Sequence, residues 1–202
     1  MSGFLRTFEK KMPMPVQAPI EKHPFEPFLP QEARILFLGS FPPQPHRWCM
    51  PFYYPNWIND FWRIMGLIHF GDKAHFCITD EKRFDEALVR SFCAHAGLAF
   101  YDTACEVHRL KDNASDAFLE IVKATDVPAL LSRIPQCSTL VTTGQKATEV
   151  IAGTFGCDIP PVGSSIGITM VGRDLRFWRM PSTSRAYPLP LEKKAEAYRK
   201  LF

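Results

Sequence analysis

The clearest pattern along the chain is an unbroken apolar run, Ile35-Leu36-Phe37-Leu38. It stops at Gly39 and opens into a proline-rich turn and then an aromatic segment, FYYPNWINDFW. Continuous rather than alternating apolar character predicts a strand buried on both faces, from Ala33 to Leu38. Two shorter runs, Leu98 to Tyr101 and Ser138 to Thr142, predict further strands, followed by Asp102 and Gly144 respectively. Helical periods lie between them. Asp60 to Leu67 begins with an acidic residue and puts Phe61, Ile64 and Met65 on one face until Gly66 interrupts the pattern. Asp80 is placed to cap a second helix in which Phe84, Leu88 and Phe92 recur every four residues, and Gly97 closes it. Val127 to Ile134, with Asp126 near its start and Pro128 in its first turn, and Gln145 to Ala152 predict two more. Thr103 to Asp116 is charged and reads as a long loop.

The last third changes character. Ile166 to Val171 and Leu175 to Met180 flank Gly172-Arg173-Asp174 and predict paired strands. Pro181 then opens the loop Ser182 to Pro188. A final helix, Leu191 to Leu201, carries Lys193, Lys194, Arg199 and Lys200, and its plain reading is a solvated helix with cations favoured at its C-terminal end. Strands alternating with helices predict an α/β fold on a mainly parallel sheet. Ligand sites in such sheets form outside the carboxyl ends of the strands. Gly39 to Pro43, the turn at Asp102 and Pro181 to Pro188 therefore face one cleft.

With 202 residues, 46% of them apolar, the chain is long enough for one well-buried domain, placed at residues 33–202. Residues 1–32, with Met12, Met14, Val16 and Ile20 as scattered apolar points, read as an extended N-terminal arm pinned by HPFEPFLP. A formal charge of +3 neither demands nor excludes a polyanionic partner. No apolar run approaches the roughly 20 residues of a membrane span, and the N-terminus lacks the apolar core of a signal peptide. The expectation is a soluble, intracellular, cytoplasmic protein. The six cysteines stand singly, without the paired spacing of zinc or iron–sulfur ligands, which predicts reduced core thiols and no metal site.

LFLGSFPP, FYYPNWINDFW, TTGQKA and PSTSRA occur in this order between Ala33 and Tyr187. With these motifs the chain resembles the uracil-DNA glycosylase superfamily, particularly its hypoxanthine-DNA and mismatch-specific branches. The resemblance implies a three-layer α/β/α sandwich around a mainly parallel sheet. It also implies a monomer acting on DNA that contains a damaged or mismatched base, of the uracil or hypoxanthine class. The reaction would be flipping of that base and hydrolysis of its N-glycosidic bond, leaving an abasic site. No cofactor is implied, and no lysine stands in a matched motif to form a Schiff base, so the enzyme would be monofunctional. By the same resemblance Gly39, Ser40, Phe41 and Pro42 form the first motif beneath the flipped base, and Tyr54 stacks on it. Ser182, Thr183, Ser184 and Arg185 form the last motif on the DNA, with Arg185 as wedge or backbone clamp.

One position departs from the pattern. Phe41 stands where several branches place the Asn or Asp that positions the attacking water. Asn59, the asparagine of the N-x-F-W element, is then the first catalytic candidate, orienting water or bonding the base. Asp102 is the alternative water activator. Both also have structural readings, Asn59 as a helix cap and Asp102 as a turn cap. Tyr54 also reads as core packing, and Ser182 and Ser184 as turn-shaping residues. His46 and Arg47 sit in the first loop, where phosphate contact competes with plain solvent exposure. The competing function is a catalytically inactive glycosylase-like fold that binds nucleic acid or a nucleotide.

Overall fold

The computed structural model describes residues 18–111, 116–170 and 172–202; Met12, Met14, Val16 and Val171 lie outside them. In chain order the strands and helices are β1 (Ile20–Lys22), β2 (Ile35–Gly39), α1 (Phe61–Phe70), β3 (Cys77–Ile78), β4 (Arg83–Phe84), α2 (Glu86–Ala96), β5 (Leu98–Asp102), β6 (Ala104–Arg109), β7 (Leu119–Ala124), α3 (Val127–Arg133), β8 (Thr139–Thr143), α4 (Gln145–Phe155), β9 (Ser164–Met170), β10 (Arg173–Met180) and α5 (Leu191–Tyr198).

Helices flank a five-stranded sheet in the order β5-β2-β8-β10-β9, the α/β/α arrangement expected. β5, β2, β8 and β10 run parallel, and β9 returns antiparallel beside β10. β2 sits near the centre with all five residues buried, which is why its sequence is apolar on both faces. The register aligns strand ends. Gly39 pairs with Asp102, Leu38 with Thr142, and Thr143 with Met180. Four chain segments therefore leave the sheet along one edge.

The core is strongly aromatic. Phe37 stacks on Phe100 at 5.4 Å between ring centroids, and Phe61, Trp62, Phe52 and Tyr53 crowd around that pair. Such offset and edge contacts add roughly 0.5–1.5 kcal/mol per pair beyond burial of area. Among the described residues no helix is long and apolar enough to cross a membrane. All six cysteines are free.

The structure corrects several local expectations. Gly66 does not end the first helix, which runs on to Phe70. The Gly66 carbonyl takes the N–H groups of Gly71 and Asp72, and a side chain at Gly66 would collide with the Asp72 carbonyl. The second helix starts five residues later than Asp80 suggests. Asp85 caps it by accepting the Leu88 N–H at 3.0 Å, and Phe84 instead belongs to a small strand pair with Cys77–Ile78. Its inward residues are Val89 and Cys93 rather than Leu88, which is partly exposed.

The first half of the charged segment after Asp102 is a strand and not a loop. Ala104–Arg109 forms the middle of an antiparallel three-stranded sheet, between Ile20–Lys22 and Leu119–Ala124. Register irregularities near Glu106 disturb the alternation that would have revealed it. The final helix is not simply solvated either, because Lys194, Ala195 and Tyr198 are buried.

Candidate active site

The aligned strand ends open into a cleft of about 690 Å³. Gly39, Ser40, Phe41, Pro42, Tyr54, Asn59, Asp102, Ser182, Thr183, Ser184 and Arg185 all line it. The eleven residues come from four separate stretches of chain. What joins them is the shared carboxyl edge of the parallel sheet, together with tethers that run behind the cleft.

The floor is built on Gly39. Its neighbour across the sheet, Asp102, is only 7% exposed, and a side chain on Gly39 would collide with Asp102 Oδ1. A residue other than glycine here would have to displace the carboxylate that lies against the strand end. The backbone is locked at the same place: Thr103 N–H donates to the Gly39 carbonyl at 2.8 Å, and the Thr125 hydroxyl donates to the Asp102 carbonyl at 2.7 Å. Asp102 Oδ2 lies 2.9 Å from Nε2 of His23, whose side chain is 2% exposed.

Phe41 lines the cleft but is itself largely buried, packed with Ala104, Val107 and Leu119 of the three-stranded sheet. It ties the floor to that second sheet and offers no polar atom to water. Arg109 lines the cleft from β6. It donates to the Pro42 carbonyl at 3.0 Å and pairs with Glu21 of β1 at 3.0–3.1 Å, so it braces the proline turn from behind. Arg47 lines the cleft as well, whereas His46 is exposed and lies outside it.

On the opposite wall Tyr54 holds a left-handed backbone conformation, φ 52°, which is uncommon for a bulky residue and costs of order 1–3 kcal/mol. That conformation presses its ring flat on Phe61, with centroids 3.9 Å apart and planes 5° apart. Its hydroxyl lies 2.9 Å from Thr143 Oγ1. The ring is thus both packed on the core and part of the cleft wall. Asn59 Oδ1 accepts the Phe61 N–H at 2.9 Å, so its side chain caps the start of α1 and leaves the amide Nδ2 hydrogens for another acceptor. The two readings of Asn59 are therefore compatible as a cap and a cleft donor. Its oxygen keeps a second lone pair, with which it can also orient a water.

The last loop is held from beneath. Asp60 N–H donates to the Thr183 carbonyl at 2.9 Å, Tyr198 hydroxyl donates to the Pro181 carbonyl at 2.8 Å, and Lys194 Nζ donates to the Ser184 carbonyl at 2.8 Å. Ser182 and Ser184 hydroxyl oxygens accept backbone N–H groups two residues on, which shapes the turn and keeps their O–H donors available. Thr183 is buried. Arg185 is 57% exposed at its side chain, with Nη2 3.6 Å from Asp60 Oδ1. Arg185 and Asp60 also line an adjoining cavity of about 510 Å³ that contains Arg63 and Lys73.

Burial governs the nearby phenols. It raises the pKa of Tyr53 and Tyr101 far above the ordinary tyrosine value, and the Asp102 charge adds to the rise in both. Both rings stay neutral hydrogen-bonding groups under any physiological condition. His23, Glu21, Arg109 and Lys194 were not legible as site residues, because each acts through a partner remote in sequence. The aromatic run after His23 and the cationic last helix marked two of these segments without giving either residue a role.

Neither a family model nor a curated protein matches the sequence. The fold, however, is of the uracil-DNA-glycosylase type. A protein of Methanosarcina acetivorans, provisionally described as a uracil DNA glycosylase, has a solution NMR structure that matches with a TM-score of 0.58. The match covers 90% of this chain and 98% of that one, at 21% identity. At that identity the likeness concerns the arrangement of the chain, and the chemistry rests on the cleft itself.

Proposed function

We propose that the protein is a monofunctional DNA glycosylase that takes a deaminated or mismatched base, of the uracil or hypoxanthine class, into this cleft and hydrolyses its N-glycosidic bond. The observation that carries the reading is the convergence in one cleft of a buried carboxylate, an amide donor, an aromatic wall and an exposed arginine beside serine hydroxyls. A base inside a duplex cannot reach such a group, so it is extruded, at about a few kcal/mol that is least for a mismatched pair.

Asp102 is the water activator in this mechanism. Its Oδ1 accepts a proton from water as the water oxygen bonds to C1′; the C1′–N bond breaks and its electron pair leaves with the base. The carboxylate also stabilises the positive charge that develops on the sugar. Asn59 donates from Nδ2 to the base as that charge builds, and the released base takes its proton from solvent. Tyr54 borders the base. Ser182, Ser184 and Arg185 hold the phosphodiester backbone, with Arg63 and Lys73 in the adjoining cavity extending the basic surface.

A second reading, a non-catalytic binder of flipped bases or nucleotides, draws on Phe41, which is packed into apolar surroundings at the first motif. Labelled duplexes containing uracil, hypoxanthine, xanthine or a mismatched thymine, treated with the protein and then alkali, separate the two. Strand breakage of one duplex that disappears in Asp102→Asn supports the glycosylase. Tight binding with no base release from any duplex establishes the binder instead.

A further inference from the structure

His23 stands outside every motif that marks the cleft, yet its ring is inserted behind the cleft floor. The segment after β1 carries it across β5 and β6. His23 N–H donates to the Cys105 carbonyl at 2.8 Å, and Phe28 pairs with Phe100 through two backbone hydrogen bonds. The ring is caged by Tyr101 at 4.6 Å, Phe41 at 5.4 Å, Phe25 at 6.0 Å and Tyr53 at 6.3 Å. Aromatic packing alone would be served as well by phenylalanine. The imidazole's polar contacts show what a histidine adds.

Nε2 lies 2.9 Å from Asp102 Oδ2. Nδ1 lies 2.9 Å from the Phe25 carbonyl and 3.2 Å from the Phe25 N–H. In the neutral ring, Nε2–H donates to the carboxylate and Nδ1 accepts from the Phe25 N–H. In the charged ring, Nε2–H still donates to Asp102 and Nδ1–H turns to the Phe25 carbonyl. Either charge state is fully hydrogen-bonded, and in both of them the proton facing Asp102 stays on Nε2. Asp102 is then held by one oxygen, while the other rests against Gly39, where a Cβ would displace it.

We infer that His23 is the positioning residue of Asp102, fixing Oδ1 at the cleft floor, where it receives the proton of the attacking water. This rests on the base-release reading of the cleft. The ionisable groups facing the pair are few. Tyr101 comes from β5, Tyr53 from the aromatic loop, and Glu26 from the arm, where its charge is felt by both phenols. Cys105 lies on β6 near the Tyr101 hydroxyl. Beyond Phe41 lies Arg109, 5.8 Å from that ring and already paired with Glu21. The phenols remain neutral, so the direct polar side-chain contact to Asp102 from within the cage comes from His23.

The test uses the full chain, single-turnover base release from the duplex that the wild type cleaves, and two variants. His23→Phe keeps the ring cage without a donor, and His23→Gln restores a donor without the imidazole. The expected result for His23→Phe is a rate lower by about 10²-fold, with affinity for the same duplex unchanged within about twofold. For His23→Gln, whose amide can donate to Asp102 in place of Nε2–H, the rate is expected to recover to within about tenfold of wild type. Wild-type rates in His23→Phe, or a folded His23→Gln no faster than His23→Phe, overturn the inference. Nitrogen NMR of the imidazole in the DNA-free protein judges it separately from catalysis. A ring carrying its proton on Nε2 at neutral pH is expected, and a ring protonated only on Nδ1 overturns the positioning role. If the wild type releases no base from any duplex, the glycosylase reading falls, and the NMR result still decides whether His23 holds Asp102 in the way described.

Discussion

Asp60 and Lys194 lie 134 residues apart and form a buried ion pair at 2.8 Å that closes the last helix against the start of the first. Lys194 is 1% exposed and also donates to the Ser184 carbonyl, while the Asp60 backbone N–H donates to the Thr183 carbonyl. One pair thus holds both the helix junction and the loop that borders the cleft.

Removing one partner of such a pair leaves a buried charge unanswered, which costs about 3–5 kcal/mol. Lys194→Met is expected to lower the unfolding free energy measured in urea by that order and to weaken duplex binding by loosening residues 182–185. Arg185, 3.6 Å from Asp60 and mostly exposed, offsets little of the loss. The double variant Asp60→Asn with Lys194→Met should be less unstable than Lys194→Met alone. Equal or greater instability in the double variant would show that the loss does not come from the unpaired charge.

Gly39→Ala adds a methyl group where Asp102 Oδ1 now lies. Expansion of a packed site typically costs about 1–3 kcal/mol. Base release should fall further than stability does, because the carboxylate must turn away from the cleft floor. Kinetics and urea denaturation on the same preparation compare the two effects. A variant with wild-type turnover would remove Oδ1 from the mechanism.

Asn59 has two separable jobs. Asn59→Ala loses the acceptor for the Phe61 N–H and is expected to cost about 1 kcal/mol, the usual value of a lost N-terminal cap. Asn59→Asp keeps the acceptor and removes the amide donor. It should retain stability while base release declines. Thermal unfolding and single-turnover rates resolve the two, and a fully active Asn59→Asp would limit Asn59 to capping.

Alkaline pH should unfold the protein through its buried phenols. Tyr53, Tyr101 and Tyr198 have pKa values raised by burial, so the folded state holds their protons where the unfolded chain has released them. Their contribution is complete below the ordinary tyrosine pKa of about 10 and is lost as pH climbs above it. The slope approaches about 1.4 kcal/mol per pH unit for each phenol. Urea unfolding between pH 9 and 11 measures it. Tyr53→Phe should flatten the slope, and an unchanged slope would contradict the assignment.

The strands and the floor were legible because their causes are local. An apolar run buried on both faces announces β2 without help from the rest of the chain, and Gly39, Asp102 and the Pro181 loop are placed at one edge once the sheet is parallel. Caps at Asp126 and Gly97 follow from short-range hydrogen bonding in the same way. Where two local signals competed, the nearer packing decided. Asp85 replaced Asp80 because Cys77–Ile78 pairs with Arg83–Phe84, and α1 passed Gly66 because the chain after the helix folds back onto it.

What ties the cleft together belongs to the tertiary structure alone. His23 reaches Asp102 across 79 residues, Arg109 reaches Glu21 across 88, and Lys194 reaches Asp60 across 134. A single polar side chain has no period and no spacing rule, so its partner is chosen only when the sheet and helices bring the two together and exclude the water that would otherwise solvate them. By itself the sequence determined which residues stand at the rim of the cleft. The folded chain decided which groups lie behind them, and through those groups how Asp102 and the last loop are held.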